Sequence, residues 1–246
     1  MIQQPPCRDS REEPKAMNPA DSFEIVPAFS VPLILVRMQQ HENLNRELTA
    51  LFERCIAEGD RFRNPEPFVD RNKPVYESNF TLFEWSEPCV ARLSKFCLSN
   101  LYRAIAELNG YSQEMLQKLH IATESWFHVT RKGGYFGAHN HPMHSWSGVY
   151  CVQHDGDDPA SSSGLLTFIN PLAQSTTYID HAISNLRPPF NYAMRKYRLL
   201  PGQLVLFPSW LLHEVMPYEG DTQRITVAFN ARFRLAGAQP QNVPRV

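Results

Sequence analysis

No run of about 18 consecutive apolar residues occurs in the 246-residue chain, so no helical membrane span is expected. An excess of charge of one sign is equally missing. Lys and Arg number 24 against 25 Asp and Glu, which leaves no basic field to hold nucleic acid nonspecifically. The five cysteines, Cys7, Cys55, Cys89, Cys97 and Cys151, are odd in number and contain no C-x-x-C pair. That argues against a disulfide framework and a structural zinc site, and it fits a reducing compartment. The opening segment, MIQQPPCRDSREEPKAMNPADS, has no apolar stretch of signal-peptide length. A cytoplasmic protein with no membrane and no nucleic-acid partner is expected.

What is present is a 43% hydrophobic content, ample for a buried core. Residues 1–22 are rich in Pro, charge and small polar types and read as a flexible N-terminal tail. Residues 23–120 read as an N-terminal strand and helical support region. In FEIVPAFSVPLILVRM, Val, Ile and Phe interrupted by Pro27 and Pro32 suggest edge-type strands. In HENLNRELTALFERCIAEGD, Leu44, Leu48, Leu51, Phe52 and Cys55 fall at helical intervals and Gly59 stands as the stop. RNPEPFVDRNKPVYESN reads as a polar, Pro-rich connection. A second helix is expected in CVARLSKFCLSNLYRAIAELNGYS, with Leu93, Phe96, Cys97, Leu101, Ile105 and Leu108 forming its stripe.

Residues 121–246 change character, to the short apolar runs IATESWFHVT, SGVYCVQ, GLLTFIN, QLVLFPS and RITVAFNARF cut by Gly, Pro, Asn and Asp. The fold class is therefore mainly β with supporting helices. Two helices should buttress a barrel or jelly roll of about eight short strands, an architecture whose mouth commonly holds a ligand or metal.

A lone histidine is more often structural than a ligand, but AHNHPMHSWSGVYCV places His139 and His141 two apart. On an extended strand that spacing puts both imidazoles on one face, a ready metal clamp. His144 is three residues beyond His141 across a Pro-containing turn and should point elsewhere. His128, in WFHVT, reads as a strand-surface histidine with a pocket position as the alternative. Trp126, Trp146 and Trp210 read as packing bulk, with one of them serving as a substrate wall. Further along, LLPGQLVLFPSWLLHEV carries His213, and an eleven-residue step reaches Arg224. The alternation of RITVAFN sends Arg224, Thr226, Ala228 and Asn230 to one face and Ile225, Val227 and Phe229 to the other. An Arg projecting into a barrel needs a carboxylate partner, from a ligand or from an internal Asp or Glu.

The order HNHP, SGVY, SSSGLLTFINP, LFPSWLLH and RITVAFN, over about residues 121–234, resembles the double-stranded β-helix core of the 2-oxoglutarate- and Fe(II)-dependent oxygenases. The nearest resemblance is to the 2OG-Fe(II) oxygenase family related to prolyl hydroxylases. It implies a jelly-roll, cupin-like core in which His139, His141 and His213 hold Fe(II), leaving positions for co-substrate and O2. It further implies that Arg224 grips the far carboxylate of 2-oxoglutarate with Thr226 adding a hydroxyl contact. The reaction would be oxidative decarboxylation to succinate and carbon dioxide coupled to hydroxylation of a C–H bond. Two departures stand out. The wider superfamily usually has a carboxylate where this chain has His141, which leaves the metal more positive by about one charge. Cys151 stands where the family tends to read tyrosine, with Tyr150 as a substitute contact to the co-substrate.

Two other readings of the same residues remain at this stage. One is a three-histidine iron oxygenase that works without 2-oxoglutarate, with Arg224 on a substrate carboxylate; the other is a metal-stabilised binding module without chemistry. The substrate is expected to be a small molecule, chosen by the loops Asp155–Ser163 and QSTTYIDHAISNLRPPFNYAMRKYR. The cations in the second loop, Arg187, Arg195, Lys196 and Arg198, read as a solvated surface with anion recognition as the alternative. A homodimer is the commonest default for the assembly.

Overall fold

The computed structural model describes residues 23–67, 69, 72, 74–155, 160–173 and 178–236. It divides into two units, residues 1–30 and 31–246. Within the first, residues 23–30 are exposed and without regular secondary structure, so no strand forms in FEIVPAFS. Pro27 lacks the N–H that a ladder requires. Pairing begins only after Pro32, at β1 (Ile34–Arg37), an edge strand as expected.

The first helical stripe forms α1 (Glu42–Ala57), with Leu44, Leu48, Leu51, Phe52 and Cys55 all buried. Gly59, one residue past the cap, takes φ +74, a conformation that excludes further helix. β2 (Val75–Glu77) follows, inside the segment expected to be only a polar connection. The Pro-rich flank hides a three-residue run, VYE, that is buried throughout. The second stripe forms α2 (Pro88–Asn109), opened by Pro at its first turn and closed by Gly110 at φ +66. Leu93, Cys97, Leu101 and Ile105 are buried, but Leu108 is 51% exposed. The helix runs a turn beyond Ile105, the last residue of the stripe that meets the core. No helix among the described residues is long and apolar enough to cross a membrane.

After a short α3 (Gln113–Gln117) come β3 (Leu119–Thr130), β4 (Phe136–His139), β5 (Trp146–Gln153), β6 (Leu166–Phe168), β7 (Arg195–Tyr197), β8 (Gln203–Pro208), β9 (His213–Val215) and β10 (Arg224–Leu235). All five apolar runs named from the sequence contain strands. β3–β10 make up the eight expected of the β half, and β1 and β2 are the two in excess. A six-stranded sheet has the order β1-β8-β5-β10-β3-β2 and a four-stranded sheet the order β4-β9-β6-β7, with antiparallel pairing throughout. This is the jelly-roll arrangement.

Strand parity divides the six-stranded sheet into two faces. Phe127, Val129, Tyr150, Val152, Leu204, Leu206, Ile225, Val227 and Phe229 join one core with α1 and α2, where Phe52 stacks on Phe127 at 4.0 Å. Cys151, Val205 and Phe207 instead pack with Leu166, Phe168 and Leu211 from the smaller sheet and its flanks. The helices thus cover one face and leave the other to enclose a cavity.

Gly148 marks where this packing is tightest. A Cβ added there would stand 2.4 Å from the Phe229 ring and 2.9 Å from Leu206 Cδ2. Gly148→Ala should therefore destabilise the protein by about 1–3 kcal/mol through overpacking, lowering the thermal midpoint followed by circular dichroism. An unchanged midpoint would show that β10 and β8 yield more easily than this contact implies.

Candidate active site

β4 and β9 pair antiparallel with His139 opposite His213, and the register shifts between Phe136 and His139. β4 ends at His139, so His141 lies in the turn beyond it, where its backbone N–H donates to Ser209 O at 2.9 Å. That bond fastens the turn to the end of β8. The three imidazoles converge: ring centroids are 4.3 Å apart for His139 and His213, and 5.1 Å for each pair with His141. One nitrogen from each lies within 4.8 Å of the others.

His139 Nδ1 is 2.7 Å from Gly137 O and His213 Nδ1 is 2.9 Å from Leu211 O. A carbonyl can only accept, so Nδ1 carries the proton in both rings and the Nε2 lone pair is left for a metal. Burial disfavours the imidazolium in all three. It lowers the pKa of His139, takes His141 down to about 3 with help from neighbouring histidines, and puts His213 well below its ordinary value. The rings are neutral at physiological pH, the form in which histidine binds a metal. Among the described residues this is the one cluster of three metal-ligating groups.

The triad faces a cavity of about 380 Å³. Its floor is the uncovered face of the large sheet. Register places Thr226 between His128 and Cys151, and Ala228 between Trp126 and Val149. The opposite wall comes from the small sheet through Phe136, Leu166 and Val215. Arg224, the first residue of β10, also lines the cavity; it is 2% exposed and forms no ion pair among the described residues. Its Nε is buried without a hydrogen-bond partner. Burial lowers its pKa, opposed only by Cys151, whose own thiol is pushed up to about 12. Thr226 is 1% exposed on the same face.

The structure thus brings together His139, His141, His213, Arg224 and Thr226, and leaves Tyr150 out. Tyr150 belongs to the opposite parity of β5. Its hydroxyl donates to Asn45 Oδ1 at 2.8 Å and its ring packs against Phe96, within the helix-covered core. The substitute contact expected of Tyr150 is corrected on that ground, since Cys151 is the residue that turns toward Arg224. His144 lines the cavity apart from the triad, with Nε2 3.7 Å from Glu124 Oε2.

His128 is a cavity residue rather than a surface one. Its Nε2 lies 2.8 Å from Glu77 Oε2 and 2.9 Å from the Trp126 indole nitrogen. Glu77, from β2, is 6% exposed, accepts from Asn64 Nδ2 at 2.6 Å and lines the same cavity. Nothing in its polar surroundings distinguished it; the only signal was the β-prone triplet it ends. Of the tryptophans, Trp126 forms a cavity wall, Trp146 packs on the helix-side core and Trp210 is exposed. Arg198 donates to the carbonyls of Ser161 and Ser163 and so ties down its neighbouring loop, while Arg195 donates to Asn191. Residues 156–159 and 174–177 of the two candidate substrate loops lie outside the described residues.

Residues 124–230 match the sequence family described as "Putative 2OG-Fe(II) oxygenase". Comparison with curated protein sequences found no match. Several solved structures share the fold. A prolyl-4-hydroxylase from Pseudomonas putida is 18% identical, over 85% of this chain and 95% of that one, with a TM-score of 0.53. HygX from Streptomyces hygroscopicus, with nickel, 2-oxoglutarate and hygromycin B bound, is 11% identical, over 82% of each chain, at 0.51. The epimerase SnoN, in complex with Fe3+, alpha-ketoglutarate and nogalamycin RO, is 11% identical, over 87% of this chain and 88% of that one, at 0.54.

If the three rings act as one clamp, His139→Ala and His213→Ala should each weaken Fe(II) binding by more than the roughly 10–100-fold that loss of an outer partner costs. His144→Ala should leave it unchanged. Anaerobic calorimetry with Fe(II) reads both, and retention of full affinity in either of the first two variants would remove that histidine from the ligand set.

Proposed function

We propose that the chain is a 2-oxoglutarate- and Fe(II)-dependent oxygenase in which His139, His141 and His213 hold the iron while Arg224 and Thr226 receive the far carboxylate of 2-oxoglutarate. When bound, iron and 2-oxoglutarate supply the oxidising chemistry: O2 is consumed, the keto acid loses carbon dioxide to become succinate, and one oxygen atom enters a substrate C–H bond.

The observation that carries the reading is Arg224. A buried guanidinium without a counter-charge costs several kcal/mol. Here it stands at the cavity floor with an unpartnered Nε, and the described residues include no carboxylate paired with it. A carboxylate entering the cavity supplies the missing partner in bidentate geometry. Thr226, two residues along the same face, adds a hydroxyl. The three neutral imidazoles contribute no charge, so a dianionic co-substrate also balances the metal. A module without chemistry leaves Arg224 unexplained, and an oxygenase working without 2-oxoglutarate has to place a substrate carboxylate on it instead.

A small-molecule substrate is supported by the size of the cavity and its mixed lining, with Trp126 and Phe136 as aromatic walls and Glu77, Glu124 and Asn230 as polar contacts. HygX and SnoN, similar in fold, hold small molecules in their crystal structures.

Adding 2-oxoglutarate to the anaerobic Fe(II) protein should produce a weak visible charge-transfer band, and O2 should then be consumed with formation of succinate. Arg224→Ala should weaken 2-oxoglutarate binding by roughly 30-fold or more, equivalent to ~2 kcal/mol, because it removes one partner of a buried charge pair. Absence of both the band and keto-acid-dependent O2 uptake in the wild-type protein would overturn the reading.

A further inference from the structure

We propose that His154 is the positioning residue for Arg224, its Nε2 accepting a hydrogen bond from the guanidinium once the co-substrate carboxylate is bound, so that the cation stays aimed at that carboxylate. The inference rests on the 2-oxoglutarate reading of Arg224 and adds to it a residue outside the cavity lining.

Two orphaned polar atoms motivate it. Arg224 Nε is a buried donor without an acceptor, and His154 Nε2 is a buried ring nitrogen without a partner. They are not bonded to each other as the side chains stand, but both side chains lie against Gly164. A Cβ built on Gly164 would lie 3.0 Å from Arg224 Cδ and 3.0 Å from His154 Nε2, so both side chains crowd the space a side chain would fill. Gly164 has φ +61, which also favours glycine there.

The tautomer of His154 follows from its other nitrogen. Nδ1 is 2.7 Å from Asp155 O, and a carbonyl accepts, so Nδ1 carries the proton and Nε2 presents a lone pair. Burial first, and Arg224 next, hold the ring in its neutral form, with Arg198 acting the same way. A neutral acceptor is what a buried guanidinium can use. Cys151, the other group beside Arg224, offers only a buried thiol, a weak acceptor.

The surroundings keep His154 in place. Its ring meets Tyr218 edge-on at 5.7 Å. Asp155 Oδ2 accepts from the Thr222 hydroxyl at 2.7 Å and from its backbone N–H at 3.2 Å, fastening the end of β5 two residues before Arg224. The β5–β10 ladder shifts register between Ile225 and Thr226, the kind of irregularity that re-aims side chains beside a site.

The test compares two keto acids on the intact Fe(II) protein without oxygen: 2-oxoglutarate, and 2-oxopentanoate, which has the same chain length but no far carboxylate. Calorimetry is run on wild type, H154F, H154Q and R224A, and KM and kcat for 2-oxoglutarate are measured in air. H154F should bind 2-oxoglutarate about tenfold more weakly, bind 2-oxopentanoate as wild type does, and raise KM with kcat preserved at saturation. H154Q, whose amide oxygen keeps an acceptor, should restore most of the affinity. If H154F binds 2-oxoglutarate normally, loses both acids equally, or is not rescued by H154Q, the positioning role is wrong. If R224A loses the preference for 2-oxoglutarate while H154F keeps it, only this inference falls. If the wild-type protein fails to bind 2-oxoglutarate, the co-substrate reading falls with it.

Discussion

The alternation along β10 is the constraint on which the rest of the structure depends. β10 pairs with β3 along its whole length and with β5 on its other side. Ile225, Val227 and Phe229 must face the helices, because they complete the apolar core that α1 and α2 share with Phe127, Tyr150 and Leu204. That requirement throws Arg224, Thr226, Ala228 and Asn230 to the opposite side. A slip of one residue would bury the guanidinium against Leu and Phe side chains and turn the phenylalanine into the cavity. The helical layer therefore sets the chemistry of a site it never touches.

The cavity this creates is electrically lopsided. Three neutral imidazoles converge at one place and a lone buried guanidinium lies at another. The described residues satisfy neither arrangement by themselves, since lone pairs face one another and the cation has no carboxylate among them. A metal dication answers the first and a carboxylate the second. The two demands are met together by a metal and a chelating dianion, which is why histidines and arginine read best as a single device.

Much of this was legible before the fold was known. Both amphipathic stripes became helices, all five apolar runs contained strands, and the parity of RITVAFN placed Arg224 and Thr226 correctly. Periodicity works there because each segment has one covered face and one different face. It failed where that condition did not hold. β5 is buried on both faces, so its pattern did not say whether Tyr150 or Cys151 turned inward; the hydrogen bond to Asn45 on α1 decided it. β2 was hidden by prolines and polar neighbours, and with it Glu77, whose burial depends on Asn64 and on its partner His128. Leu108 matched the stripe but lay beyond the end of the core.

By itself the sequence determined which residues carry chemistry and which face of a strand they share, since both follow from side-chain type and a period of two. It also determined that His139 and His141 would lie close together. His213, more than seventy residues away, was named for the cluster only by resemblance; the tertiary structure supplies the physical reason, the pairing of β4 with β9. Likewise, only the fold left Arg224 without a carboxylate among the described residues and brought His154 against the same glycine, Gly164. Such neighbours are chosen by the order of strands in two sheets, and strand order is written in no local pattern of residues.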